Sequence, residues 1–141
     1  MAIRILIVDD SAIFREGLRT MLETHDGWEV CEAVDGTDSI QKNRSLIPHL
    51  IIMDMSMPHT TGIQAAAQIL KEFPRVPIVL LTLYFTQQLA EEARKCGIRA
   101  TLSKTAMHQL VDGLDAILRG EEFSVPPSAQ AKPRASGREH G

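Results

Sequence analysis

The chain has 141 residues, of which 44% are hydrophobic and 23% charged, and its formal net charge is -3. This length is typical of one domain with one core. The mild negative charge gives no indication of a surface that binds nucleic acid or an anionic membrane. No apolar run approaches the roughly 20 residues needed to cross a bilayer, and Arg4 interrupts the N-terminus before a signal-peptide core can form. We therefore expect a soluble, cytoplasmic protein with no membrane partner.

Short aliphatic segments alternate with segments of helical periodicity along the chain. The aliphatic segments predict five strands, at Ile3–Val8, Glu29–Val34, Leu50–Met53, Ile78–Thr82 and Ile98–Leu102. The apolar residues between and after them recur at helical spacing. They predict helices after an N-cap at Ser11, over residues 36–46, from Thr61, over residues 86–96 behind an N-cap at Thr86, and from Met107 to Leu118.

This alternation predicts an α/β fold. Continuous apolar strands joined by helices are typical of a parallel sheet covered on both faces, and right-handed crossovers leave few topologies for five units. We expect a doubly wound, flavodoxin-like sheet with strand order 2-1-3-4-5 and five helices, formed by residues 1–123. From Ser124 to Gly141, eleven of eighteen residues are Pro, Ser, Ala or Gly, which predicts a disordered tail.

Polar residues follow several of the predicted strands. Asp9 and Asp10 come after the first strand, Asp54 after the third, Thr82 ends the fourth, and Lys104 comes shortly after the fifth. Because ligand sites in open parallel sheets form beyond the carboxyl ends of the strands, we expect these side chains to converge at one edge.

Three neighbouring carboxylates, a hydroxyl and an ammonium indicate phosphoryl chemistry. An oxygen-only ligand set suits Mg²⁺, which would relieve the repulsion between the carboxylates. Asp54 stands alone at its strand tip and could act as a nucleophile toward phosphorus, with the metal and Lys104 neutralising the phosphoryl oxygens. The sequence has no glycine-rich phosphate loop, so the phosphoryl group is expected from another protein or a small phosphodonor.

These residues resemble the receiver domain of two-component response regulators. The resemblance runs from Ile3 to about Arg119 and includes D-D at 9–10, D-x-x-M-P-x-x-x-G at 54–62, Thr82 and Lys104. It implies that Asp54 is the phosphoacceptor and that Thr82 and Lys104 contact the phosphoryl group. It also implies a set of Mg²⁺ ligands, namely Asp54, Asp10 directly, Asp9 through water, and the backbone carbonyl of Ser56.

The resemblance also implies the partners of the protein. The phosphoryl donor would be a sensor histidine kinase or a phosphotransfer protein, and the chain would catalyse only its own phosphorylation and dephosphorylation. The fourth helix, fifth strand and fifth helix would form the face for a homodimer or a downstream protein. The segment 98–120 is most similar to receivers of the NarL/FixJ type, which usually precede a DNA-binding domain. No such domain follows in this sequence, so direct nucleic-acid binding is not expected.

Two positions depart from the pattern of the family. Thr101 stands where most receivers have an aromatic residue that turns inward on activation, and Leu83 stands where a small residue is usual. We hypothesise that Leu83 narrows access to Asp54 and that Tyr84 replaces the missing aromatic side chain. A Tyr84→Ala variant with an unchanged phosphorylation-dependent output would contradict the second hypothesis.

Two other functions remain open from the sequence. Phosphohydrolases of the haloacid dehalogenase type also use an aspartate nucleophile and Mg²⁺, but they carry a second aspartate two positions later, where this chain has Ser56. A degenerate receiver-like module would never accept phosphate and would act only through its surface. A phosphate adduct that depends on Asp54 and disappears slowly would support the receiver, multiple-turnover release from varied phosphate esters would favour the enzyme, and no adduct would favour the degenerate module.

Overall fold

The computed structural model describes residues 2–123 and contains one parallel sheet. Its strands are β1 (Ile3–Val8), β2 (Trp28–Ala33), β3 (Leu50–Asp54), β4 (Ile78–Thr82) and β5 (Ala100–Ser103). The helices are α1 (Ala12–Leu22), α2 (Gly36–Leu46), α3 (Gly62–Glu72), α4 (Gln87–Cys96) and α5 (Leu110–Leu118), and a short 3₁₀ helix at Lys104–Gln109 precedes α5. The strand order is β2-β1-β3-β4-β5 and every pairing is parallel, which confirms the predicted doubly wound fold.

Two hydrophobic clusters cover the two faces of the sheet. Successive strand residues point to opposite faces, so Leu80 belongs to one cluster and Leu81 to the other. On one face the strands pack against α1 and α5, through Leu18, Leu22, Leu110, Leu114 and Ile117. On the other face they pack against α3 and α4, through Ala65, Ala66, Ile69 and Ala93, with Ile40 of α2 at the margin. This double cover explains why every residue of β3 and β4 is buried.

The helix starts follow the predicted N-caps. The Ser11 hydroxyl accepts a hydrogen bond from the backbone N–H of Phe14, and the Thr86 hydroxyl accepts one from Leu89. At α3, Thr61 and Gln64 form a capping box. These caps fix where α1, α3 and α4 begin, and the Ser11 cap directly follows Asp9 and Asp10.

The bounds near the C-terminal end differ from the prediction. β5 begins at Ala100 rather than Ile98, because Gly97 ends α4 at a φ of 103° and the N–H of Ile98 bonds to the carbonyl of Ala93. Ile98 is buried by this helix end and not by strand pairing. The single predicted final helix is a 3₁₀ helix followed by α5.

None of the helices within residues 2–123 is long and apolar enough to span a membrane. The predicted tail, residues 124–141, lies outside the described residues.

Candidate functional site

Three aspartates meet at the carboxyl edge of the sheet. Asp9 and Asp10 directly follow β1, and Asp54 is the last residue of its neighbour β3. Asp9, Asp10 and Asp54 each offer a carboxylate oxygen, and these oxygens all lie within 4.8 Å of one another. Asp9 and Asp54 are buried, whereas Asp10 is exposed. The structure thus brings together the three predicted carboxylates in a site that is open on one side.

Lys104 places its ammonium between the two buried carboxylates. It directly follows β5, and its Nζ lies 3.1 Å from Oδ2 of Asp9 and 3.2 Å from Oδ1 of Asp54. Only 13% of the Lys104 side chain is exposed, so both ion pairs are shielded from water. The Lys104 ammonium therefore pairs with both buried carboxylates.

Burial and charge repulsion perturb Asp54. Desolvation of its buried carboxyl is the largest effect and raises the pKa of Asp54, and the negative charge of Asp9 raises it further. The Lys104 ammonium and a backbone hydrogen bond from Ser56 act in the opposite direction but do not cancel the rise. The site therefore has an excess of negative charge that a further cation would relieve.

Asp9 is held from several sides. Its Oδ1 accepts a hydrogen bond from the backbone N–H of Ser11 at 2.8 Å, and its main-chain carbonyl accepts one from Nη1 of Arg15 at 2.6 Å. Arg15 is in turn paired with Glu32 of β2, whose second oxygen contacts Nε of Arg19 at 2.7 Å. The two arginines lower the pKa of Glu32 through these hydrogen bonds. The network fixes the turn between β1 and α1 on which Asp9 lies.

Sequence reasoning missed Arg15, Glu32 and Phe14 as neighbours of the site. Phe14 packs at the margin of the hydrophobic cluster, as an apolar residue of an amphipathic helix does, yet its ring centroid lies 3.9 Å from Nζ of Lys104. Glu32 lies within β2 and Arg15 lies in the first turn of α1. Neither residue is part of a sequence motif that indicates a functional site. Their contacts depend on how α1 is rotated about its axis against the sheet, and the sequence does not indicate that rotation.

Thr82 ends β4 at the same edge of the sheet. It is buried, and its hydroxyl oxygen accepts a hydrogen bond from the backbone N–H of Tyr84 at 3.2 Å. Leu81, one position earlier, is the strand partner of Asp54. Leu83 and Tyr84 are 58% and 66% exposed, so two apolar side chains rim this end of β4.

The loop from β3 to α3 packs closely under Asp54. The N–H of Gly62 bonds to the carbonyl of Met55 at 2.8 Å, and a β-carbon at position 62 would stand 2.4 Å from the carbonyl oxygen of Asp54. Only glycine fits this approach. Ser56 turns its backbone N–H to the Asp54 carboxylate, and the role of its carbonyl as a metal ligand stays a prediction.

The donor set fits a hard divalent cation. Such a cation prefers carboxylate oxygens as ligands, and the exposure of Asp10 would leave room for the water molecules that Mg²⁺ keeps. Such an ion would supply positive charge beside Asp54.

A doubly wound sheet with three aspartates and a lysine at its carboxyl edge is typical of two-component signalling domains, and the chain belongs to the response regulator receiver domain family. The family model matches residues 5–115. Domains of this family act in signalling as phosphoacceptor switches.

Several known proteins are similar to this chain. The transcriptional regulatory protein YdfI of Bacillus subtilis is 36% identical over 125 residues, which cover 87% of this chain and 58% of YdfI. The response regulator GacA of Pseudomonas protegens is 30% identical, with 91% of this chain and 61% of GacA covered. The crystal structure of a LuxR-family two-component response regulator from Aurantimonas superposes with a TM-score of 0.86 at 30% identity, covering 92% and 94% of the two chains. The chain spans about three fifths of the length of both curated relatives.

Proposed function

We propose that Asp54 accepts a phosphoryl group from a histidine kinase or a phosphotransfer protein and thereby switches the domain between two signalling states. A carboxylate oxygen of Asp54 forms the bond to phosphorus while the bond between phosphorus and the donor breaks, and the electron pair of that bond leaves with the donor. The observation that supports this role is the shielded Lys104 ammonium, 3.2 Å from the Asp54 carboxylate.

The other site residues have distinct parts in the proposal. Asp9, Asp10, Asp54 and the carbonyl of Ser56 would hold Mg²⁺, which supplies charge neutralisation at the phosphoryl oxygens. Lys104 would move from its carboxylate partners to a phosphoryl oxygen. Thr82 would donate a hydrogen bond from its hydroxyl group to another phosphoryl oxygen. The accompanying movement at the end of β4 would report the modification.

The signal would leave through α4, β5 and α5. Phosphorylation adds about -1.5 to -2 charges at the edge of the sheet, which shifts a conformational population only if the two conformations bind that charge differently. Thr82 ends β4, the strand before α4, and Lys104 directly follows β5, so a movement of either residue would be transmitted to this face. A second copy of the chain or a downstream protein would bind there, in the cytoplasm where kinases supply phosphoryl groups.

Intact mass measurement tests the proposal. The full chain is incubated with Mg²⁺ and a small acyl phosphate, beside Asp54→Asn and the matched control Asp26→Asn, which alters an exposed aspartate distant in sequence from the site. We expect one phosphate adduct on the wild type and on Asp26→Asn, none on Asp54→Asn, and none when EDTA removes the metal.

The other outcomes separate the alternatives. Multiple-turnover release of phosphate from varied phosphate esters would identify a phosphohydrolase, which the exposed Ser56 in place of a second aspartate disfavours. An absence of adduct under every donor and metal condition would identify a degenerate module that acts only through its surface. Multiple turnover would overturn the signalling role, and an absence of adduct would overturn the assignment of Asp54 as the phosphoacceptor.

A further inference from the structure

The face of the Phe14 ring lies against the ammonium of Lys104. Its centroid is 3.9 Å from Nζ, while the same Nζ contacts the carboxylates of Asp9 and Asp54 at 3.1 and 3.2 Å. Phe14 is also the residue whose backbone N–H is bound by the Ser11 cap, at 3.2 Å. The start of α1 therefore fixes the backbone from which this ring extends toward the lysine.

The ring occupies a direction in which an exposed lysine would bind water. An ammonium has three N–H donors, and two acceptors here are the buried carboxylates. The electron-rich face of an aromatic ring attracts a cation at this distance, and the attraction grows when water is excluded. Lys104 is only 13% exposed, so the ring contributes to its stabilisation where water has little access.

We propose that Phe14 is a positioning residue for phosphorylation, holding the Lys104 ammonium beside Asp54 through the face of its ring. The inference rests on the proposed function and adds to it a residue of α1 that is neither a proposed metal ligand nor a proposed contact of the phosphoryl group. The ring guides the ammonium without offering a charged partner that an incoming phosphoryl oxygen would have to displace.

The ring also suits the movement that the reaction needs. The ammonium must leave a carboxylate oxygen and reach a phosphoryl oxygen. A further ion pair or hydrogen bond in the position of the ring would hold the ammonium at one place. Attraction to a ring face is less directional, so Lys104 can shift across Phe14 while it remains stabilised. An aliphatic side chain of similar volume would fill the space but would not attract the charge.

Phosphorylation rates of three variants separate this role from packing. Phe14→Leu keeps an apolar side chain without a ring, Phe14→Tyr keeps the ring, and Phe123→Leu is the matched control. Phe14 and Phe123 pack at the margin of the same hydrophobic cluster, but Phe123 contacts Gly113 instead of the lysine. With Mg²⁺ and a small acyl phosphate, we expect Phe14→Leu to react about three- to tenfold more slowly. Phe14→Tyr and Phe123→Leu should stay within about twofold of the wild type.

A graded change of the ring gives a readout that packing does not produce. Phenylalanines with one, two and three ring fluorines, incorporated at position 14, remove electron density from the ring face in steps while changing its shape little. We expect the rate to fall with each fluorine at unchanged thermal stability. In NMR spectra, the Lys104 side-chain protons nearest the ring should show an upfield ring-current shift that Phe14→Leu loses and Phe14→Tyr keeps.

The results distinguish failure of the inference from failure of the proposed function. A wild type that takes up no phosphate overturns both. A wild type with a normal adduct and a Phe14→Leu variant of equal rate overturns the positioning role alone, as does a fluorinated series with constant rates. A Lys104 resonance without a ring-current shift would show that the contact with the ring does not persist in solution.

Discussion

At the scale of single residues, Asp54 combines two opposed environments. Its burial and the nearby charge of Asp9 disfavour the ionised form, whereas Lys104 favours it, and the net effect is a raised pKa. A carboxyl whose pKa is raised on folding stabilises the fold fully only below its unfolded pKa and loses that contribution as the pH rises through the folded value. Ionisation of Asp54 therefore lowers the stability of the folded protein when no metal is bound.

We expect Asp54→Asn to be more stable than the wild type at pH 7 in EDTA, because the variant removes a charge that the folded site disfavours. The difference should vanish below about pH 3.9, where the carboxyl is protonated in both the folded and the unfolded states. Denaturant unfolding at a series of pH values measures it, with Asp26→Asn as the control for the loss of one exposed charge. A destabilised Asp54→Asn variant at pH 7 would contradict the direction of the pKa shift.

Leu83 offers a second test at this scale. It directly follows Thr82 and is 58% exposed, so its truncation removes apolar surface at the rim without opening the core. We expect Leu83→Ala to accelerate phosphorylation by a small acyl phosphate, and the subsequent hydrolysis, by about fivefold, or about 1 kcal/mol in each barrier. Ile47→Ala, which truncates an exposed side chain after α2, is the control. Rates equal to those of the wild type would show that Leu83 does not limit access to Asp54.

At the scale of elements, the loop between β3 and α3 determines where Asp54 is held. The N-cap at Thr61 starts α3 directly after the loop, and Gly62 brings the helix against the carbonyl of Asp54. Close packing therefore requires the glycine at the last position of the D-x-x-M-P-x-x-x-G pattern. Its glycine determines the distance between a helix and the strand that carries the proposed nucleophile.

We expect Gly62→Ala to destabilise the fold by about 1–3 kcal/mol and to slow phosphorylation, because the added β-carbon would displace the backbone of Asp54. Gly17→Ala is the matched control. Gly17 lies exposed within α1 with no atom within 4 Å of the added carbon, so alanine there should stabilise the helix by about 0.5–1 kcal/mol. Thermal unfolding and intact mass measure the two effects, and a Gly62→Ala variant of normal stability would contradict the close approach.

The elements also show what local sequence determines and where it fails. The caps at Ser11 and Thr86 were predictable because each needs only a hydroxyl before an apolar helical stripe. The predicted start of β5 was wrong because Ile98 is buried by the end of α4 and is not part of the strand. An apolar residue indicates burial, and only the tertiary arrangement decides which element buries it.

At the scale of the whole molecule, the strand order and the meeting of the acids followed from one rule. Alternating strands and helices predict a doubly wound sheet, and such a sheet brings its strand ends to one edge, so Asp9, Asp54 and Lys104 could be predicted as neighbours. Phe14 and Arg15 could not, since their contacts depend on the rotation of α1 against the sheet. The assignment of chemical roles to the site residues remains a prediction.

The pairing of Lys104 with Asp9 joins residues 95 positions apart. β1 and β3 can associate and bring Asp9 and Asp54 together while the last third of the chain is still unfolded. During synthesis we therefore expect the two buried carboxylates to approach each other before Lys104 has been added to the chain. We expect closure of the site to be a late step of folding that follows the docking of β5, and until then repulsion between the two acids should oppose formation of this edge of the sheet.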